Sequence, residues 1–294
     1  MPAQNELDFE VVDKPLKNLL KAFPNLIYRS WPNEVKPDGG VQLILHSFAT
    51  VTTNTYETII WICAEKPDSF GRKLEFVLSI PPLLRALLDQ VFTICFLSED
   101  VPGRSVEFFK SGWLEVNEKL TRLEEKHGNS PKWSQFFQTN RALQDRLATL
   151  TGLTPKEKSG ETRINYWPIP SQMRGKCRNP ATADYIEYLY EWFYREFSQE
   201  AHLSMPGLIV RGFPLVLAHK GKKSEAELED HIKRVRSDTV VATLTLTIAL
   251  LSEIQGILNF PSVSQDLRYL WGTLGAYWDK PSDLYAQRYK NLLL

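Results

Sequence analysis

The chain has 294 residues, 43% of them hydrophobic and eight of them Trp, which suffices for a substantial core and argues against wholesale disorder. Lys plus Arg and Asp plus Glu balance at 35 each, so no global field draws the molecule to nucleic acid or membrane, and any RNA contact has to come from a local basic patch. Three cysteines, Cys63, Cys95 and Cys177, stand far apart without zinc-ligand spacing, which argues against a metal or a disulfide framework and suits a reducing compartment.

Residues 1–40 read as an irregular, Pro-containing N-terminal arm, and 41–294 as a single all-α domain, a multi-helix bundle. The polar, acidic start MPAQNELDFEVVDK reads as no secretory signal, and the expected location is the cytoplasm. Residues 41–65, VQLILHSFATVTTNTYETIIWICAE, form the first long helix, because no turn signal interrupts them. A second helical stretch, 70–98, is expected to bend or break at Pro81-Pro82. A third is opened by Pro102-Gly103 and closed at Gly128. The fourth has Ser130 as N-cap, Pro131 at its first position and Gly152 as its stop.

Residues 153–180 break the pattern with charge, Gly and Pro, and read as a long ordered loop or a lid. Helices resume at 181–204, 224–259 and 262–278, with a short amphipathic tail at 282–293. The run 239–260, TVVATLTLTIALLSEIQGILNF, reaches the length of about 20 residues that a membrane span requires. Its threonines, with Glu253 and Gln255, make it a central buried helix of a soluble bundle instead.

The late helix carries the first candidate chemistry. On α-helical spacing Glu191, Arg195, Ser198 and His202 share one polar face, with Leu189, Trp192, Phe193, Phe197 and Ala201 supplying apolar packing. Arg195 and His202 lie roughly 10 Å apart along such a helix, and their side chains could converge on one phosphodiester within a chain or across a dimer. That pair suits metal-independent RNA cleavage. An imidazole moves the proton, most easily as general acid given its place in the last helical turn, and a forked guanidinium stabilises the phosphorane-like transition state. The bland alternative is an i, i+4 ion pair between Glu191 and Arg195, with Ser198 and His202 bonding each other or a nearby loop. Arg85 and Asp89 form another such pair within an apolar helix. They either support the site, Asp89 orienting His202 or pairing with Arg195, or satisfy each other.

PPLLRALLDQ at 81–90, followed by Tyr194, Ser198 and His202 in a Tyr-x3-Ser-x3-His pattern, resembles a family of bacterial helical proteins with an early Arg/acid pair and later Ser and His. That family is similar to the HEPN superfamily, whose ribonucleases carry an Arg-x(4–6)-His motif on a late helix of a bundle. Arg195 and His202, six residues between them, match its long limit; Glu196 departs from the neutral or basic polar residues that often follow the Arg. The resemblance spans roughly residues 40–205 and implies a HEPN-like core with extra C-terminal helices. It further implies a homodimer whose paired motifs form a composite cleft, with catalytic roles for Arg195 and His202. Ser198 and Tyr194 would then position the RNA. The setting it implies is toxin–antitoxin, anti-phage or stress response.

Basic segments beside this helix, with Arg174, Lys176 and Arg178, then Lys222 and Lys223, then Arg234, could supply phosphate contacts, and Tyr166 and Trp167 could stack on bases. The alternative is that these are solvated loop and helix-end charges. No phosphate-cradling Gly loop, nucleophile elbow or His-Glu-x-x-His motif is present, and no cofactor is expected. Two readings follow. One is the metal-independent ribonuclease; the other is a non-catalytic helical partner or sensor, binding another protein of the same operon through its polar helix face.

Overall fold

A computed structural model describes residues 9–29, 39–63, 80–195, 197–198, 220 and 224–293. Among these residues the regular structure is entirely helical, as expected of an all-α bundle.

The first correction falls on the N-terminal arm. Phe9–Arg29 is a helix, α1, despite Pro15 and Pro24 within it. Each internal proline deletes a ladder bond and costs about 3 kcal/mol in an isolated helix. Val12, Leu16, Leu19, Leu20, Phe23 and Ile27 repeat on one face and are all buried, which offsets that cost. Asp13 joins α1 to the bundle: its carboxylate takes the Tyr56 hydroxyl at 2.6 Å and the Lys17 ammonium at 2.7 Å. Burial, then the bond to Asp13, raises the Tyr56 phenol above its ordinary value.

Tyr56 lies on α2 (Gly39–Cys63). The helix α3 (Pro81–Leu97) starts at the prolines expected to bend it. Proline is tolerated in a first turn because its missing N–H would have no partner there, so Pro81-Pro82 open the helix. Thr52 donates to Gln90 at 2.9 Å, tying α2 to α3. Asp100 then caps α4 (Val101–His127) through the Gly103 N–H. The α4 helix pairs with α5 (Ser134–Leu150) after a tight turn, Pro131–Trp133. Ser130 takes the extended backbone of an N-cap but makes no side-chain cap bond, whereas Gly152 adopts the left-handed φ of 61° expected of a stop.

Residues 153–180 are no detached lid but a strap across α3 and α4. Trp167 sets its ring edgewise against Phe96 and Phe108, and its backbone N–H bonds the Ser111 hydroxyl at 2.7 Å. Met173, part of the strap, is buried. Trp167 is therefore spent on the core; Tyr166 is exposed but holds Glu118.

After the strap comes α6, Pro180–Leu189, which widens into a π turn over Tyr190–Tyr194. The helix α7 (Glu225–Leu258) packs most extensively on α3 and also on α2. It is long and apolar enough to cross a bilayer, yet 72% of its most apolar window is buried inside the protein. Four of its hydroxyls, on Thr239, Thr243, Thr245 and Ser252, each donate to the carbonyl four residues back. Asn259, in the left-handed conformation, ends α7, and Pro261 begins α8 (Pro261–Gly275). The tail, α9, runs Asp279–Leu284 and continues through a second π turn, Tyr285–Tyr289, to Leu292.

Candidate functional site

The late-helix motif lies only partly within the described residues. Arg195 Nη1 donates to Glu191 Oε2 at 2.6 Å, the i, i+4 pair anticipated as the bland alternative, and both side chains are about half exposed. Ser198 is half-buried. His202 lies outside the described residues, as do Lys222 and Lys223. Phe193 and Phe197 are buried as expected, but Trp192 is 57% exposed and does not join the packing face. The π turn accounts for part of this. The Arg195 N–H bonds Tyr190, five residues back, so the turn before Arg195 holds an extra residue and the simple α-helical face does not continue through it.

The early pair does meet the late helix, through Tyr194. Arg85 Nη2 donates to the Tyr194 hydroxyl at 2.8 Å, and its guanidinium carbon sits 5.1 Å from that ring's centroid. Arg85 Nε lies 3.9 Å from Asp89 Oδ2. Partial burial raises the Asp89 carboxyl above its ordinary value, with Arg85 opposing. Arg85 and Asp89 thus satisfy each other and anchor Tyr194, and Arg195 turns to Glu191 on the surface.

Two of the basic side chains make surface ion pairs. Arg174 pairs with Glu187, and Arg178 Nη1 reaches Asp100 at 3.1 Å. The Lys176 carbonyl accepts from buried Arg104 at 2.9 Å, its side chain being exposed. Arg234 is exposed and bends back towards the Asp230 carbonyl.

A second constellation was not anticipated. A cleft of about 580 Å³ opens where the α3–α4 corner, the end of the strap, α6, α7 and α9 meet. Its polar lining is Ser98, Glu99, Arg178, Asn179, Thr182, Glu253 and Arg288; Val101, Gly256, Ile257 and Leu292 make one apolar wall. At its floor Arg288 forks onto Glu253, Nε to Oε1 at 2.5 Å and Nη2 to Oε2 at 2.8 Å, and the Glu253 side chain is wholly buried. The remaining bonds of the guanidinium are long: Nη1 to the Thr182 hydroxyl at 3.3 Å and Nη2 to the Ser98 hydroxyl at 3.4 Å. The π turn of α9 sets Arg288 and Tyr289, adjacent in sequence, both inward; Tyr289 shares a 2.6 Å hydroxyl–hydroxyl bond with buried Tyr185. Glu99 accepts the backbone N–H groups of Arg178 and Asn179 at 3.1 and 2.9 Å. At the sequence level, the signals for this site were the two charges interrupting apolar surfaces, Glu253 within α7 and Arg288 within the tail.

Cys177 sits beside this cleft. Burial and then the Glu99 carboxylate push its thiol up to about 11. At pH 8 such a thiol is roughly one part in a thousand thiolate. Burial likewise raises Cys95. Native protein treated with iodoacetamide at pH 8 will therefore leave Cys95 and Cys177 unmodified over a period that fully labels the urea-unfolded chain. Mass spectrometry showing fast native labelling of either would contradict the burial described.

Among the described residues no group of three or more His, Cys, Asp and Glu is arranged to hold a metal ion. No family model, curated protein or solved structure matches this chain.

Proposed function

We propose that this chain is a non-catalytic helical binding protein and that the cleft over Arg288 and Glu253 is where it binds. The observation that carries this is how the cleft's reactive groups are engaged. Among the described residues its lining includes no His, Cys or Lys, and both carboxylates are committed, Glu253 to Arg288 and Glu99 to two backbone N–H groups. The Ser98 hydroxyl already donates to the Cys95 carbonyl at 2.8 Å. No group is poised to abstract a proton or to attack, whereas the shape and the mix of polar and apolar wall suit a small ligand.

A second reading, the metal-independent ribonuclease, is favoured by the exposure of Arg195. Its surface pair with Glu191 is solvent-screened and contributes little, and a phosphate could take the guanidinium over. A homodimer with a composite cleft, RNA as substrate and a defence setting belong to that reading. A protein partner belongs to the first.

The deciding measurement is cleavage of end-labelled total RNA and tRNA in EDTA by the wild type and by His202→Ala. RNA left intact by both supports the binding reading. Cleavage that leaves a 2′,3′-cyclic phosphate and disappears in His202→Ala overturns it in favour of the ribonuclease.

A further inference from the structure

We infer that the cleft takes a small organic monoanion, a carboxylate carried on a short apolar body, an inference that rests on the binding reading above. The acceptors are used up, since Glu253 is spanned by the Arg288 fork and Glu99 holds two backbone N–H groups with the Arg104 guanidinium 4.0 Å away. The donors are not. Arg288 faces the Ser98 and Thr182 hydroxyls through N–H groups at 3.4 and 3.3 Å, the long end of hydrogen bonding. An oxyanion that takes the place of these weakly held hydroxyl acceptors at the outer edge of the guanidinium would gain shorter, charge-assisted bonds.

Arg178 supplies a second fork at the rim. Its side chain is 66% exposed, and its pair with Asp100 at 3.1 Å is a surface pair that a ligand can displace at little cost. Asn179, which caps the start of α6, adds an amide to the same edge.

Charge then selects among anions. The ionised lining groups are Arg178, Arg288, Glu99 and Glu253, two of each sign. A monoanion adds one charge to a balanced site, but a phosphate dianion would stand against two carboxylates with no cation in surplus. The wall of Val101, Gly256, Ile257 and Leu292 offers nothing to a bare inorganic ion and fits an aliphatic or aryl body. Gly256 shapes that wall, since a Cβ there would lie 2.6 Å from Leu292 Cδ1.

The test is calorimetric titration of the full chain with hexanoate and benzoate, beside hexanamide, benzamide, phenyl phosphate and inorganic phosphate. Both acids are expected to bind, with their amides at least about tenfold weaker and phenyl phosphate no tighter than benzoate. Arg178→Gln, which removes an exposed side chain and leaves the Arg288–Glu253 floor in place, should weaken benzoate about three- to tenfold. Absence of binding by both acids at about 10 mM, amides equal to acids, or affinity indifferent to Arg178→Gln overturns the carboxylate site. That failure, with RNA intact in EDTA, leaves the binding reading standing with a different ligand. Cleavage of RNA dependent on His202 removes the binding reading as the chain's main role, while benzoate affinity that tracks Arg178 still establishes the site.

Discussion

Arg288→Met is expected to lower the unfolding free energy by about 3–5 kcal/mol, the cost of leaving one member of a buried ion pair alone. Glu253 has no exposed surface in its side chain, and its surroundings include Cys95, Tyr185 and Tyr289, which cannot replace a guanidinium. Burial opposes the charge on Arg288, but Glu253 outweighs it and holds the guanidinium above its ordinary value. Glu253→Leu should cost a comparable amount, because it strands the cation. The double variant Arg288→Met with Glu253→Leu should recover most of the loss, since an apolar pair of similar volume avoids desolvating two charges. Urea melts of the four proteins decide this. An Arg288→Met protein within about 1 kcal/mol of wild type would mean that water reaches Glu253. A double variant no better than the worse single would mean that the pair's packing, not its charge balance, holds α7 to α9.

The ion pair also shows what sequence spacing can and cannot carry. Glu191 and Arg195 are four residues apart, and their bond was legible as an i, i+4 pair because helix geometry alone brings them together. Glu253 and Arg288 are 35 residues apart. The only trace of their partnership is that each interrupts an apolar surface, Glu253 in a run that otherwise resembles a membrane span. Gln255, the other interruption, proves to cap a junction: it donates to the Phe260 carbonyl at 2.8 Å and to the Ser264 hydroxyl at 2.9 Å. A buried polar residue in such a run predicts a partner without naming it.

The two π turns were not legible for a related reason. Helical periodicity assumes 3.6 residues per turn, and no residue type at 190–194 or 285–289 announces a wider one. The consequence differs at the two places. At 285–289 the extra residue helps to build the cleft floor; before Arg195 it shifts the polar face on which the nuclease expectation was founded. The long helices at 41–65, 102–128 and 224–259, by contrast, were legible, the first because no turn signal interrupts it, the second because Pro102-Gly103 and Gly128 bound it, and the third because of its long apolar run.

Phe23→Ala should cost about 3–5 kcal/mol, the range for removing a large aromatic ring from a core that cannot collapse around the cavity. An irregular arm predicts almost nothing from the same change, so the experiment tests the reassignment of residues 9–29 directly. Phe23 has no exposed surface and lies in the stripe that α1 turns inward. Pro15 and Pro24 argue for an arm on local grounds, and in isolation the segment would obey them. Burial of the stripe is non-local and outweighs both prolines, with Tyr56 and Asp13 fixing the register by a bond between helices. Tyr28→Ala provides the control: Tyr28 is on the same helix but 81% exposed, and its loss should stay within about 0.5 kcal/mol. A large effect at Phe23 with none at Tyr28 places α1 in the cooperative unit. Equal and small effects would return the segment to the arm that its prolines suggest, and the Asp13–Tyr56 bond would then contribute nothing to folding.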